Sequence, residues 1–396
     1  MPNFLQQAEE LFPYTQTLRR DFHKHPELGF NEIRTGGIVA KELEELGLEV
    51  TKGVGKTGVI AYLEGAKPGP TILLRFDMDA LPIHEETGAE YSSAHPGVMH
   101  ACGHDGHTAI GLTVAKLLNA HKEHLAGNVK FCFQPSEEGN NGEEMGGALM
   151  MMRDGVLDTP KVDKTLALHL WNDKPLGWFS VAQGPVMAGA EMFSVKLTGK
   201  GGHGAAPHTT IDPVAAAAHI VVALQTIVAR NVSPLKPAVI SVTSLHAGTA
   251  FNIIPQTAEI NGTIRNFDPD VRKMTLERFE QIVRNVATAM QCEAEIALEQ
   301  VTPTVVNEEQ TTNTVLQAAR KLFPQADIDT AQYLTMGAED MGYMQEKIGG
   351  CYFMVGSAND ERNLNYGHHH PKFDFDERAL INGAALMASA AARLLS

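Results

Sequence analysis

The chain has 396 residues, 43% of them hydrophobic and 20% charged, with 36 glycines and 20 prolines spread along its length. This is the composition of an ordered globular protein, and its length exceeds the roughly 250–300 residues at which one core stops growing, so two domains are expected. A formal charge of -15, from 47 acidic against 32 basic residues, with no Lys/Arg cluster to track phosphates, argues against a nucleic-acid partner.

The opening MPNFLQQAEE is polar and acidic, where a secretory leader is basic and then apolar. No uninterrupted apolar run approaches the ~20 residues of a membrane span, so a cytoplasmic location without membrane contact is expected. Apolar residues at helical spacing (Leu5, Ala8, Leu11, Leu18, Phe22) predict helix through about Gly29, and Ile33 to Leu48 repeats the pattern before strand-like Leu48 to Thr51. Short apolar runs at 59–63, 71–76, 129–133 and 166–170 alternate with helix-like Thr108 to Leu118 and Glu144 to Arg153, which predicts an α/β layer structure around a central sheet. Ligands in such sheets gather where strands end.

From about Met192 the texture changes. MFSVKLTG, AVISVTSLHAG and TAEINGTIRNF alternate with period two, and helix-like Asp212 to Arg230 and Asp268 to Met290 lie between or beyond them. This predicts a compact α+β unit inserted into the chain. After Thr304 the earlier pattern returns, with helix at Thr311 to Leu322, strand at Cys351 to Val355 and a closing helix at Asp376 to Leu395, so the first domain is expected to be discontinuous. The four cysteines lie far apart; Cys132 and Cys351 sit in apolar runs that suit buried free thiols, and a disulfide framework is not expected.

Chemistry concentrates in five places. Met99-His-Ala-Cys-Gly-His-Asp-Gly-His107 stands before a helix-like run, so Cys102 and His104 can turn toward one point where the helix's positive end favours an ionised thiol. A lone Cys-x-His reads as readily as packing, but three histidines and a cysteine in so short a stretch favour a metal. In FCFQPSEEG the adjacent Glu137 and Glu138 end an apolar strand; a solvated loop pair is the plain reading, a metal ligand beside a carboxylate facing bound water the functional one. Asp77 and Asp79 interrupt a buried strand in RFDMDALP, where burial costs several kcal/mol unless cations or donors meet them. His169 in LALHLWN alone reads as a core histidine. GHHHPKF, at 367–373, precedes a native-looking helix start and is no tag remnant. The mixed donors match no closed structural zinc site, and open mixed ligation points to catalysis.

FHKHPELGFNE, RFDMDALPI, MHACGHDGHT, FQPSEEG, LALHLWN, GKGGHGAAPH, FNIIP, GAEDM and HHPKFDFDE occur here in the order in which they occur in the hippurate hydrolase and N-acyl-L-amino-acid amidohydrolase family. The chain resembles that family, a relative of aminoacylases, carboxypeptidases and plant auxin-conjugate hydrolases, over nearly its whole length. The resemblance implies an α/β, zinc-exopeptidase-like catalytic domain with a central mixed sheet at 1–187 and 305–396, interrupted by a smaller α+β lid and dimerisation domain at 188–304. It implies metal ligands at Cys102, His104, Glu138, His169 and His369, the last because it stands two before Pro371. Glu137 is then the catalytic base and Asp77 the carboxylate that orients a ligating imidazole. His203 would steady the oxyanion, often from the partner subunit, while Asn252 and Arg265 would hold the substrate carboxylate; a turn residue and a surface strand residue are the plain alternatives. The broader clan's other branches place a metal-binding histidine where this chain has Arg75, and arginine cannot ligate, so this branch's own ligand set applies. GKGGHG lacks the terminal Lys-Ser/Thr of a phosphate loop, so no nucleotide site is expected.

The implied cofactors are two divalent ions per subunit, Zn or Mn, with Co or Ni as further candidates. The implied partners are a small N-acyl amino acid and a second copy of the chain. The implied reaction is hydrolysis of the acyl amide bond. A dipeptidase or carboxypeptidase using the same site is the competing enzymatic reading. A catalytically silent metal or ligand binder is the non-enzymatic one, against which the spare carboxylate of Glu137 beside Glu138 argues.

Overall fold

The structure is a computed structural model that describes residues 2–331 and 333–396. By internal contacts the chain forms two units, Met1–Val186 with Val305–Tyr333 and Asp340–Ser396, and Met187–Thr304 with Leu334–Glu339. The short stretch Leu334–Glu339 joins the second unit although it carries no period-two alternation; there the Ala188 amide donates to the carbonyls of Thr335 and Gly337.

The single opening helix read from periodicity is two, α1 (Phe4–Glu10) and α2 (Phe12–Lys24), with Pro13 accommodated in the first turn of α2, where its missing N–H costs nothing. Helix α2 stops at His25, ahead of Pro26, which disfavours helical geometry in the residue before it. Helix α3 (Ile33–Glu45) ends before Gly47, which takes a positive φ of 74°. Then follow β1 (Glu49–Val54), β2 (Gly58–Glu64), β3 (Lys67–Asp77), α4 (His104–Asn119), β4 (Ala126–Gln134), α5 (Gly147–Arg153), β5 (Lys164–Pro175), β6 (Trp178–Ser180) and β7 (Gly184–Met187).

In the second unit β8 (Gly189–Thr198), β10 (Ala238–Ala247), β12 (Thr257–Asn266) and β13 (Glu293–Thr302) form an antiparallel sheet in the order β10-β12-β8-β13. A small pair, β9 (Gly202–His203) and β11 (Ile253–Ile254), stands apart from it. Helices α6 (Pro213–Arg230) and α7 (Pro269–Ala289) are each capped by an aspartate, Asp212 and Asp268, that accepts two backbone N–H bonds. Their apolar faces join the sheet's inner residues in one core that includes Val195, Ile220, Leu224, Ile260 and Phe279. With 18 residues, α6 is long and apolar enough to cross a membrane by length and composition, although His219, Gln225 and Thr226 interrupt its apolar run. Alanines and β-branched residues spread its apolar character around the helix, and its core-facing side is buried in this unit.

On return to the first unit the chain forms β14 (Val305–Asn307), which pairs with β7, then α8 (Glu309–Leu322), β15 (Asp327–Asp329), α9 (Met341–Ile348), β16 (Gly350–Ala358) and α10 (Ala379–Leu394). The large sheet has the order β1-β2-β4-β3-β5-β16-β6-β15. Its centre, β4-β3-β5-β16, is parallel, while β1, β2 and β6 supply antiparallel pairings, so the sheet is mixed. Parallel strands covered on both faces read as continuous apolar runs, and all nine residues of β16 are buried. The register places Asp77 beside Gln134 and Arg75 beside Ala167, so β3, β4 and β5 present Asp77, the 135–138 turn and His169 at one end of the sheet.

A buried ionic cluster ties the N-terminal helices to that end. Arg19, fully buried, donates to Asp105 at 2.8 Å and Asp374 at 2.7 Å and lies 3.4 Å from Glu377, with its guanidinium between the rings of Tyr91 and Phe375. Asp105 follows His104 directly, and Asp374 closes the segment that begins at His369. Removing one partner of such a cluster leaves a buried charge uncompensated, at a cost of about 3–5 kcal/mol. His23 sits in the same cluster. Burial and the charge of Arg19 oppose its protonation, but Asp105 at 2.8 Å and Glu85 at 3.2 Å outweigh them and hold its pKa up at about 9. Because the folded value lies above the ordinary 6.5, charged His23 contributes its full stability below that value and loses it as pH rises through about 9. The stability gap between the wild type and His23→Gln, measured by urea unfolding, is therefore expected to narrow from about pH 6 to about pH 9.5. A gap constant over that range would contradict this.

Candidate metal centre

Three strand ends and two loops bring the sequence-predicted donors together. Ligand atoms of Cys102, His104 and His169 lie within 4.8 Å of one another, and so do those of Cys102, Glu138 and His369 and those of His104, Glu137 and Glu138. Cys102 belongs to the first two groups, which joins them into one constellation. All five residues assigned as ligands by resemblance are in it.

The tautomers are set by the backbone and by one carboxylate. His104 donates from Nδ1 to Asp79, with the carbonyl oxygen at 2.9 Å and Oδ1 at 3.2 Å. His169 donates from Nδ1 to the Leu170 carbonyl at 2.7 Å. In each ring this leaves the Nε2 lone pair for a ligand, the arrangement that fixes ring orientation in metal-binding histidines. The Nε2 of His169 stands 3.5 Å from the Cys102 sulfur. Among the described residues the buried Nε2 of His104 has no hydrogen-bond partner, while carboxylate oxygens of Asp77, Glu137 and Glu138 surround it at 3.8, 3.9 and 4.0 Å.

This environment wants a cation. Burial opposes a charge on His104, yet Asp77, Asp79 and Glu138 raise its pKa to about 10, so without a metal a proton takes the cation's place. Cys102 runs against the sequence-based expectation. Burial, reinforced by Glu138, Glu137 and Asp77, pushes its thiol well above the ordinary value, so the nearby helix start does not ionise it. A thiolate here needs a cation at the sulfur, as metal ligation provides. Orphaned imidazole nitrogen, thiol and surplus carboxylate together fit a bound pair of divalent ions.

The remaining histidines divide by their bonds. His107 donates to Asp77 at 2.6 Å and accepts from the Leu170 amide at 2.9 Å, so both of its nitrogens are committed. His368 is half-buried, with Nε2 donating to the Leu170 carbonyl at 2.9 Å; His370 stacks on Tyr366. His369 turns the other way, in a left-handed conformation with φ 65°, and its Nε2 lies 3.1 Å from Glu138. A non-glycine residue held there is strained, and such strain gathers at functional sites.

Asp77 does hold an imidazole, but that of His107; the carboxylate bonded to His104 is Asp79, which also accepts the Glu138 amide at 3.0 Å. The second aspartate of RFDMDALP was visible in the sequence, but which of two carboxylates faces which ring depends on the loop after β3. Arg75 is fully buried and donates to Asp77, to Gln134 and to Asp340, a residue of GAEDM. Burial pushes the Asp77 carboxyl up, but His104, Arg75 and His107 outweigh it and hold it well below the usual carboxylate range.

His203, Asn252 and Arg265 belong to the second unit. The first two are brought together: β9 pairs His203 with Ile253, and the Gly204 amide donates to the Asn252 carbonyl at 2.8 Å. His203 is exposed, its Nδ1 accepting the Ala205 amide. Arg265 is half-buried on β12, donating to the Thr263 hydroxyl.

Residues 73–393 match the model of Peptidase family M20/M25/M40. The chain is 39% identical to thermostable carboxypeptidase 1 of Saccharolobus solfataricus, covering 95% of this chain and 94% of that one. It is 39% identical to N-acetyl-L-cysteine deacetylase of Bacillus subtilis, with 96% and 87% covered, and 37% identical to IAA-amino acid hydrolase ILR1-like 4 of Arabidopsis thaliana, with 99% and 88% covered. The crystal structure of the Bacillus subtilis YXEP protein, described as a dinuclear metal binding peptidase of the M20 family, matches with a TM-score of 0.85 at 35% identity, covering 98% of this chain and 99% of that one. The chain therefore belongs to Peptidase family M20/M25/M40. It is a hydrolase of the metal-dependent amidohydrolase type within that family.

Because Asp79 fixes both the His104 ring and the Glu138 backbone, Asp79→Ala is expected to weaken metal binding by about 10–100-fold with all five donors present. Metal titration of the apoprotein checks this, and unchanged affinity would contradict it.

Proposed function

We propose that the chain hydrolyses the amide bond of N-acyl-L-amino acids, hippurate-like or N-acetyl, to a carboxylic acid and a free amino acid. The observation that carries this is the convergence of Cys102, His104, Glu138, His169 and His369 with a further carboxylate, Glu137, whose Oε2 lies 3.9 Å from the unpartnered His104 nitrogen. The names of the deacetylase and the IAA-amino acid hydrolase, both acting on acylated amino acids, support the same substrate class.

Cys102, His104 and His169 would hold one ion and Cys102, Glu138 and His369 the other, and bound metals supply Lewis acidity and a water of lowered pKa. Thiolate and imidazole suit zinc, the carboxylate tolerates manganese, and cobalt or nickel is accommodated by the same donors. Glu137 takes the proton of the attacking water and returns it to the departing nitrogen, the step an amide most needs because an amide anion leaves poorly. Asp77, kept ionised by Arg75, holds His107 and sets the field around His104. The family resemblance assigns His203 to the oxyanion and Asn252 and Arg265 to the substrate carboxylate. The likeness to a carboxypeptidase supports a second reading, in which the same groups cleave a dipeptide or peptide C-terminus.

Side-by-side assays of hippurate, N-acetyl-methionine and simple dipeptides separate the two readings. In those assays Glu137→Gln is expected to keep its metal and lose hydrolysis by at least about 10²-fold, within the 10²–10⁴ typical of a removed acid–base group. Substantial residual turnover would place the base elsewhere.

The second unit's surface supports a homodimer. Strand β10 is an edge strand, Leu245 on it is 42% exposed, and Val222 on α6 is 70% exposed. An open edge beside exposed apolar side chains is a surface that proteins otherwise cover. Light scattering is expected to give a dimer mass for the wild type and a monomer mass for Val222→Glu/Leu245→Glu. A dimer in both would move the interface elsewhere.

A further inference from the structure

The segment HPELGFNE, residues 25–32, supplies no ligand, yet it packs against both stretches that present the carboxylates of the site. Leu28 pairs with Ala80, and the Ala80 amide donates to the Glu27 carbonyl at 2.8 Å, which pins the chain just beyond Asp79. At its other end Glu32, with no exposed surface, reaches the turn that carries Glu137 and Glu138. The Ser136 amide donates to Glu32 Oε1 at 2.9 Å, and the Thr57 hydroxyl donates to the other carboxylate oxygen.

That turn is strained where Glu32 grips it. Ser136 has φ 48°, a left-handed conformation that a residue with a Cβ keeps only when its surroundings over-determine it. Its hydroxyl donates to the Gly139 carbonyl at 2.6 Å and accepts from Asn141 at 2.8 Å, closing the turn on itself. Its carbonyl accepts the Gly147 amide at 3.0 Å, and its own amide goes to Glu32. Gly29 completes the seat: a Cβ there would stand 2.3 Å from the Ser136 hydroxyl and 2.2 Å from the Asn141 side chain. Only a glycine lets the two loops come this close.

We propose that Glu32 is a positioning residue for hydrolysis, holding the Ser136 amide so that the turn presents Glu137 in its reacting position. The proposal rests on the assignment of Glu137 as the base. What the turn needs from Glu32 is an acceptor at the right reach, not a charge. Glutamine supplies that acceptor and can donate its amide to the Thr57 oxygen; aspartate keeps the charge but falls one methylene short; leucine offers no acceptor.

The test compares Glu32→Gln, Glu32→Asp and Glu32→Leu in the metal-loaded, full-length protein, reading kcat and KM on the best N-acyl amino acid, together with hydrogen exchange over residues 134–141. A displaced catalytic group costs up to about 10²-fold. The expected result is a kcat lowered about 10–100-fold in Glu32→Asp and Glu32→Leu with KM within about threefold, kcat within about threefold of wild type in Glu32→Gln, and faster exchange of the Ser136 amide in the first two alone. Should Glu32→Leu fail to fold, the aspartate and glutamine pair decides the matter. Wild-type kcat in Glu32→Asp, or equal losses in all three variants, would overturn the proposal. If the wild type hydrolyses no N-acyl amino acid, the functional reading fails instead, and the exchange pattern still decides whether Glu32 holds the turn.

Discussion

Everything at the site follows from an excess of negative charge in a place that excludes water. Asp77, Asp79, Glu137 and Glu138 crowd around His104, with the Cys102 thiol among them, and Asp77, Asp79 and His104 are almost wholly buried. Burying carboxylates without compensation costs several kcal/mol each. Arg75 offsets part of this at Asp77, and the His104 ring is driven to accept a proton up to about pH 10. A pair of divalent cations would relieve the same imbalance more completely, because it would also accept the sulfur and the two imidazole lone pairs that the backbone has aimed inward. On the proposed reading, the same excess that would recruit the metals leaves one carboxylate, Glu137, for proton chemistry.

The fold serves this constraint by over-determining it. Parallel strands set Asp77, the 135–138 turn and His169 level at one sheet end, and the peptide of Leu170 organises three imidazoles through one amide and one carbonyl. Outside that ring lies the Arg19 cluster, which binds Asp105 and Asp374 and so fastens the segments that carry His104 and His369 to helix α2. Strained conformations at Ser136 and His369 mark where the chain is held against its local preference. The motifs HPELGFNE and FDFDE are thus part of the site's construction although they contribute no donor to it.

Much of this was legible in the sequence because the signals were local. Long apolar runs marked the central strands, period-two texture marked the second unit's sheet, and the donors stood in short ordered motifs whose resemblance to a known family assigned them. What stayed hidden depends on contacts between distant segments. The sequence shows two aspartates in RFDMDALP but not that Asp79 takes His104 while Asp77 takes His107. It shows a buried arginine in place of a ligand, but not that Arg75 bridges Asp77 and Asp340 across more than 260 positions. A helix start beside Cys102 suggested an ionised thiol, and burial among carboxylates reverses that. Nothing in the sequence singles out Glu32, whose tie to the site is the Ser136 amide, and the break between α1 and α2 was masked by an apolar spacing that continues across it.

The central claim is that two cations bind where these donors meet, and anomalous diffraction from crystals of the metal-loaded protein tests it most directly. The account predicts two peaks per chain, one bounded by Cys102, His104 and His169 and the other by Cys102, Glu138 and His369. Ions found only away from these side chains, or no peak among them at saturating metal, would contradict it.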